Sequence, residues 1–211
     1  MQPAEIPGLV ERARRGDEGA LERLLPLYEP RLARMVELRL DASLRRRLDP
    51  ADIVQEGLLE CVRRFPEWCR QTALPFHVWL RLITAQALAA AQRRHLGASM
   101  RDARHEASPQ PGRSGLSVGN AADAFAASIT SPSQAAQREE LRAGVLAALE
   151  GLDELDREVV ALRHFEGLSN EEVAAELAIT PEAASKRFLR ALVRLRPALE
   201  PFGGIRSEEH P

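Results

Sequence analysis

The chain has 211 residues, a length that allows one large domain or two small ones. Its apolar content of 45% is enough for packed cores, and because only 4% of the residues are aromatic, these cores must consist mainly of Leu, Ala and Val. That mixture favours helices over strands, so we expect an all-α fold. The net charge of −2 identifies no partner. The sequence has no apolar run of about 20 residues, no signal-peptide core and only two cysteines, which argues against a membrane protein and against a disulfide-stabilised secreted protein. These features predict a cytoplasmic protein.

Residues 8–95 predict a first helical unit. Apolar residues recur at helical spacing from Leu9 to Leu25, where Pro26 and Pro30 predict a break before a second helix at about 31–40.

The next helix has a clear start. Asp49 is a suitable N-cap, Pro50 fits the first helical position, and Asp52 favours the first turn. The helix is expected to run to about Phe65, where Pro66 ends it, and to turn an apolar stripe inward that consists of Ile53, Val54, Leu58, Cys61 and Val62. A loop over 66–75 and a helix over 76–95 complete the unit, with Trp79, Leu80, Ile83, Ala87 and Ala91 facing inward.

Residues 97–132 are rich in Gly, Ser, Pro and Ala and predict a flexible linker between a domain at 1–96 and a second domain at 133–202. Helices are expected in the second domain at about 133–150, 153–165, 169–177 and 181–198. Residues 203–211 predict a disordered tail.

The second domain contains the most informative pattern. Ser169 and Glu172 have the spacing of a capping box, and Thr180 with Pro181 predicts the start of another helix after a short turn. Residues 183–199 hold five basic residues and no acidic one, whereas 139–182 hold twelve acidic and three basic residues. Two short helices, a tight turn and a basic second helix indicate a DNA-binding helix-turn-helix. The alternative is an ordinary helical hairpin with a solvated basic face.

Two separate blocks resemble the sigma-70 family of RNA polymerase sigma factors, in its extracytoplasmic-function (ECF) branch. Residues 152–169 with the following helix-turn-helix are similar to the family's region 4. Residues 49–56 and 75–95 are similar to the polymerase-binding helix and the promoter-melting helix of region 2. The resemblance covers nearly all of residues 8–199. It implies a sigma region 2-like domain, a sigma region 4-like domain, and a role in promoter recognition, DNA melting and transcription initiation.

The resemblance also implies partners and sites. Asp52, Gln55 and Glu56 would bind core RNA polymerase through its β′ subunit, although helix capping by Asp52 and a solvated charge at Glu56 are the simpler alternatives. The partners would be the β′ and β subunits, promoter DNA and an anti-sigma factor where one exists. No catalytic residue, metal or cofactor is implied.

The implied DNA contacts fall into two groups. For the minus-10 element, Arg81, Arg93 and Arg94 would contact the backbone, while Trp68 would either stack on an unpaired base or anchor its loop. For the minus-35 element, the contacts would come from Glu182, Ala183, Ser185, Lys186, Arg187 and Arg190. The sequence departs from the family at Pro26, where an uninterrupted helix is usual, and at Ala183 and Ala184, where larger residues are frequent.

Other functions fit less well. An enzyme would need to draw on Cys61, Cys69, His77, His95 or the Asp52/Glu56 pair, but these residues match no zinc spacing, and the chain has neither a phosphate loop nor a nucleophile elbow. A stand-alone helix-turn-helix regulator would bind duplex DNA without polymerase. A protein-only adaptor would not need Lys186, Arg187 and Arg190.

Overall fold

The computed structural model describes residues 6–41, 43–71, 74–99, 115–130 and 135–202. Over these ranges the chain is all-α and contains no strand, as the composition predicts. The chain divides into two compact units, and the boundary between them in the sequence lies between Ser114 and Gly115. None of the helices in these ranges combines the length and the apolar character that crossing a bilayer requires.

Four described helices build the first unit: α1 (Ile6–Arg14), α2 (Glu18–Arg39), α3 (Pro50–Gln71) and α4 (Phe76–Ser99). Helix α3 packs along α4, and α1 packs on α2. The inward residues predicted for α4 are all buried. The predicted start of α3 is also confirmed, since Asp49 accepts a hydrogen bond from the Ala51 backbone at 2.9 Å.

The predicted break at Pro26 and Pro30 is wrong, because α2 continues through both prolines. Both lie on the exposed side of the helix, where water can satisfy the carbonyl groups that they leave without a donor. The opposite side buries Leu24, Tyr28 and Leu32 in the core. Burial of that side outweighs the cost of two missing backbone hydrogen bonds.

The real break lies earlier, between α1 and α2. Gly16 has φ of +91°, a left-handed conformation that favours glycine. Asp17 then caps α2 by accepting a hydrogen bond from the Ala20 backbone at 3.1 Å, and its carboxylate pairs with Arg12 at 2.7 Å.

Helix α3 also passes through a proline, Pro66, that was expected to end it. Pro66 is exposed, whereas Phe65 and Trp68 on either side of it are buried in a cluster of aromatic rings. The helix therefore extends to Gln71, and the loop predicted over 66–75 is shorter than expected.

A glycine allows α3 and α4 to pack closely. A Cβ atom at Gly57 would lie 2.9 Å from Thr84 Oγ1 and 3.1 Å from Thr84 Cα. Thr84 is fully buried, and its hydroxyl donates to the Leu80 carbonyl at 3.0 Å. The two helices thus meet backbone to backbone at this point.

The second unit contains the helices α5 (Val118–Ile129), α6 (Ala135–Glu150), α7 (Glu154–Val160), α8 (Asn170–Leu177) and α9 (Pro181–Leu199) among the described residues. A π-helical turn, Ala161–Phe165, extends α7, and a 3₁₀ turn, Glu200–Phe202, follows α9. The helices agree with the predicted ones from residue 135 onward. The expected domain start at Ser133 and the tail at 203–211 lie outside the described residues.

Helix α5 falls inside the range predicted to be a flexible linker, so that prediction is wrong for residues 118–129. Ser117 caps the helix by accepting from the Asn120 backbone at 3.4 Å, and α5 packs on α6. Phe125 is completely buried and stacks on His164, with ring centroids 4.6 Å apart. Residues 100–114 of the predicted linker lie outside the described part of the chain.

Candidate functional site

The first candidate surface lies on the exposed side of α3. Asp52, Gln55 and Glu56 are exposed together, while Ile53 and Val54 between them are buried. This separation follows from the helical period, which places residues three and four apart on one face. Gln55 is held by a hydrogen bond from its Nε2 to Glu29 Oε1 at 3.2 Å.

An apolar patch that the sequence analysis missed continues this surface. Leu59 is 60% exposed and Val62 is 48% exposed, although Val62 was expected to face inward. The surface borders a groove between α3 and α4, lined by Asp52, Gln55, Glu56, Leu59, Glu60, Arg63, Arg64, Ile83, Gln86 and Ala87. The sequence could have indicated the exposure of Leu59, because this residue lies three positions after Glu56 and therefore on the polar side of the helix.

An ion pair links two residues that were assigned to different roles. Arg94 Nη2 on α4 lies 2.9 Å from Glu56 Oε2 on α3, and both side chains are about half exposed. Arg93, its neighbour, is exposed. The candidate polymerase-binding surface and the candidate minus-10 surface therefore meet at this pair.

Two candidate minus-10 residues do not lie on this surface. Trp68 is only 2% exposed and Arg81 only 8% exposed. Trp68 belongs to the aromatic core, stacked on Phe65 and Trp79 with ring centroids 5.5 Å apart in each case. Its Nε1 donates to the Leu74 carbonyl at 3.1 Å. Of the two alternatives for Trp68, its burial favours the anchor over the stacking on a base. The structure therefore corrects the assignment of Trp68 and Arg81 as residues that face DNA.

The second candidate surface is the helix-turn-helix formed by α8 and α9. The predicted capping box is present: Ser169 Oγ accepts from the Glu172 backbone at 3.1 Å, and Glu172 Oε2 accepts from the Ser169 backbone at 2.8 Å. Ala178 ends α8 in the left-handed conformation, at φ of 54°. Thr180 then caps α9 by accepting from the Ala183 backbone at 3.2 Å.

Helix α9 exposes four basic residues, Lys186, Arg190, Arg194 and Arg196. Glu182 and Lys186 are exposed, and Ala183 and Ser185 are half-buried. Leu189 and Val193 are also exposed, at 59% and 63%. Ala184 is completely buried, so its small side chain serves packing in the domain.

Arg187 and Arg190 also contact a residue of their own domain, although Arg190 is exposed and Arg187 is half-buried. Both bind the carboxylate of Asp156 on α7, with Arg187 Nη1 and Arg190 Nη2 each 2.7 Å from Asp156 Oδ1. Arg194 Nη1 donates to the Gly151 carbonyl at 3.1 Å. Arg187 and Arg190, which the sequence analysis assigned to DNA, therefore also tie α9 to α7, and Arg194 ties α9 to the turn before α7. Asp156 was not foreseen.

In the part of the chain that the structure describes, no group of three or more His, Cys, Asp or Glu side chains is arranged to hold a metal ion. Burial raises the pKa of the Cys61 thiol to about 12, so this cysteine is not a reactive thiolate.

Comparison with known proteins decides the family. A family model described as ECF sigma factor matches residues 3–199. The chain belongs to the ECF sigma factor family. As a sigma factor, it binds core RNA polymerase and directs promoter recognition, DNA melting and transcription initiation.

Individual relatives agree with this membership. The sigma factor is 28% identical over 197 residues to the ECF RNA polymerase sigma-E factor of Escherichia coli K12, covering 92% of this chain and 94% of the relative. It is 29% identical over 199 residues to the RNA polymerase sigma-H factor of Pseudomonas aeruginosa PAO1, covering 92% and 93%. The structure of CnrH in complex with the cytosolic domain of CnrY shares the fold, with a TM-score of 0.50 at 22% identity, covering 92% of this chain and 96% of that one.

Proposed function

We propose that the two units divide promoter recognition between them. The N-terminal unit docks on core polymerase and engages the minus-10 element, and the C-terminal unit reads the minus-35 element through α9. The observation that carries the proposal is the joint exposure of Asp52, Gln55 and Glu56 on α3 of a sigma factor. The protein acts as a specificity subunit with no catalysis of its own, in the cytoplasm where the polymerase works.

The docking surface combines charge and apolar contact. Asp52 and Glu56 present carboxylates, Gln55 presents an amide, and Leu59 presents an apolar side chain beside them. A basic and apolar helical element of the β′ subunit would complement this combination, because apolar contacts at the centre and charges at the rim are the usual arrangement of protein interfaces.

The docking proposal is tested by capture of purified bacterial core polymerase. We expect wild-type protein to bind and an Asp52→Arg/Glu56→Arg variant to lose binding by at least about tenfold, since buried like charges at an interface cost several kcal/mol. A Glu22→Arg/Glu67→Arg variant is the matched control: it makes the same charge change at exposed positions outside the groove. Equal loss in both variants would contradict the docking surface. No capture of wild type, with tight binding to free duplex DNA, would favour the stand-alone regulator.

At the minus-10 element, we propose that Arg93 and Arg94 contact the DNA backbone. Arg93 is exposed, and Arg94 keeps donors beyond those that it gives to Glu56. We expect Arg93→Ala to weaken promoter melting by holoenzyme while core capture stays unchanged, which a permanganate footprint of the melted region measures. Unchanged melting would remove Arg93 from the interface.

At the minus-35 element, we propose that Glu182, Ala183, Ser185 and Lys186 meet the base edges. They occupy the first turns of α9, the part of a recognition helix that enters the major groove. Arg187 and Arg190 contact phosphates through the N–H groups that Asp156 does not use. A Lys186→Ala variant should lower minus-35 affinity at one base position, as measured by competition between single-base variants of the site.

An anti-sigma factor is a further proposed partner. CnrH was solved with the cytosolic domain of CnrY bound. Such a partner would inactivate this sigma factor by covering the α3 surface or α9. It should then compete with core polymerase for the wild-type protein.

A further inference from the structure

Asp156 is a buried carboxylate facing the recognition helix. Its side chain is only 1% exposed. A charged group so far from water is strongly disfavoured unless it has partners of opposite charge. The residue belongs to the first turn of α7, and its backbone N–H donates to the Asp153 carboxylate at 2.7 Å. The cap of α7 therefore holds the backbone of Asp156 in place.

Both oxygens of this carboxylate are used by α9. Arg190 donates from Nε to Oδ2 at 2.9 Å and from Nη2 to Oδ1 at 2.7 Å, the paired geometry that orients a guanidinium group. Arg187 donates from Nη1 to Oδ1 at 2.7 Å. The two arginines are three residues apart, so they lie on one face of α9 and converge on one anion.

The arginines remain accessible while they are held. The side chain of Arg190 is 50% exposed and that of Arg187 is 29% exposed. A guanidinium group has five N–H donors, and Asp156 takes two from Arg190 and one from Arg187. Each arginine therefore keeps donors in a fixed orientation.

We propose that Asp156 is a positioning residue for minus-35 recognition: it fixes Arg187 and Arg190 so that their remaining donors meet DNA phosphates in one register. Phosphate contacts set the placement of a recognition helix, and that placement determines which base edges its first turns reach. Asp156 thus acts on sequence discrimination without touching DNA. The proposal rests on the proposed minus-35 role of α9.

The proposal separates discrimination from affinity. In Asp156→Asn, an NH₂ group replaces one carboxylate oxygen. This NH₂ group cannot accept a hydrogen bond from the guanidinium donors that it faces. The released arginines remain positively charged and still attract phosphates, but at varied positions. We therefore expect non-specific binding to persist or to rise, with a steeper salt dependence, while discrimination between cognate and mismatched sites falls.

The test uses holoenzyme assembled from the full chain and core polymerase. A cognate minus-35 sequence is first selected from a randomised promoter library with the wild-type protein. Affinities for promoters with cognate and scrambled minus-35 sequences are then measured at several salt concentrations. We expect Asp156→Asn to lower the cognate-to-scrambled ratio by about tenfold, the size of one lost specific contact. Its salt slope on scrambled DNA should be steeper by about one, because the substitution removes one negative charge beside the two arginines.

Asp153→Asn is the matched control. The substitution removes the same charge from the same turn, and asparagine also caps helices well. The Asp153 carboxylate lies 3.5 Å from Arg187 and 3.7 Å from Arg190 and makes no direct hydrogen bond with either arginine. Arg190→Lys is a second variant in case Asp156→Asn folds poorly, because lysine keeps the charge and loses the paired geometry. It should lower discrimination and leave binding to scrambled DNA unchanged.

The outcomes are distinct. A loss of discrimination in Asp156→Asn and Arg190→Lys, but not in Asp153→Asn, supports the positioning role. Discrimination equal to that of Asp153→Asn, or an equal fall in cognate and scrambled binding, overturns it. If the wild-type holoenzyme does not distinguish the two promoters at all, the proposed minus-35 role of α9 fails instead.

Discussion

His164 is a half-buried ionisable residue in contact with two aromatic rings. It stacks on Phe125 with 12° between the ring planes, and Phe165 meets it edge-on with centroids 4.8 Å apart. Burial lowers the pKa of His164 below its ordinary value of 6.5. The folded state therefore favours the neutral ring, and protonation favours the unfolded chain.

We expect this residue to make stability depend on pH. The contribution is fully present above about pH 6.5 and is lost as the pH falls through the lower pKa of the folded state. His164→Phe keeps a stacking ring and removes the titration, so it should reduce the loss of unfolding free energy between about pH 7.5 and about pH 5.5. Urea denaturation followed by circular dichroism measures the difference. The same pH dependence in both proteins would show that His164 is not responsible.

Gly57 is the second position where one residue has a measurable effect. An added Cβ would meet the Thr84 backbone on the facing helix, which cannot move away as a flexible side chain could. Gly57→Ala should therefore destabilise the first unit by about 1–3 kcal/mol, although alanine favours helix. Urea denaturation followed by tryptophan fluorescence reports this change. Gly8→Ala is the control, because its Cβ meets nothing within 4 Å and it should stabilise slightly.

At the scale of elements, caps and prolines behave differently. The predicted caps at Asp49, Ser169 and Thr180 are present, because a cap depends on residues within one helical turn. The prolines at 26, 30 and 66 do not end their helices. Their cost is a few kcal/mol each, and whether a helix bears it depends on what the rest of the helix buries.

Removing one of these prolines should stabilise the protein. Pro26 is exposed inside α2, so Pro26→Ala restores a backbone hydrogen bond without opening a cavity. We expect the unfolding free energy to rise by about 1–3 kcal/mol, less than the full cost of proline because the unfolded chain also gains freedom. Pro50→Ala at the first position of α3 should bring no such gain, since no helical hydrogen bond is missing there. Equal effects would contradict this explanation.

At the scale of the whole molecule, each unit has a cluster of buried apolar side chains among its described residues. Both tryptophans of the chain, Trp68 and Trp79, belong to the cluster of the first unit. Phe125 of α5 is completely buried in the second unit. Tryptophan fluorescence therefore reports on the first unit, whereas circular dichroism follows the helices of both.

We expect Phe125→Ala to destabilise the second unit by about 3–5 kcal/mol, the usual cost of truncating a buried phenylalanine. The urea transition seen by circular dichroism should shift or split, while the fluorescence transition stays in place. Leu24→Ala, in the cluster of the first unit, should shift the fluorescence transition. A fluorescence shift in Phe125→Ala would show that the two units unfold together.

The sequence by itself determined the all-α class, the helix-turn-helix with its caps, and the positions of Asp52, Gln55 and Glu56 on one side of α3. These features depend on helical period and on hydrogen bonds within a few residues, which the order of amino acids contains directly. Family membership agrees with the resemblance read from the same blocks.

Only the tertiary structure decided the continuity of α2 and α3, the helix at 118–129, the burial of Trp68 and Arg81, and the pairing of Arg187 and Arg190 with Asp156. Each depends on a partner distant in sequence: α6 and His164 for Phe125, Trp79 for Trp68, and a carboxylate 31 residues away for Arg187. A basic helix looks the same in sequence whether its arginines face solvent or a buried anion. The difference arises because a carboxylate removed from water requires cations beside it, and the fold brings α7 to α9.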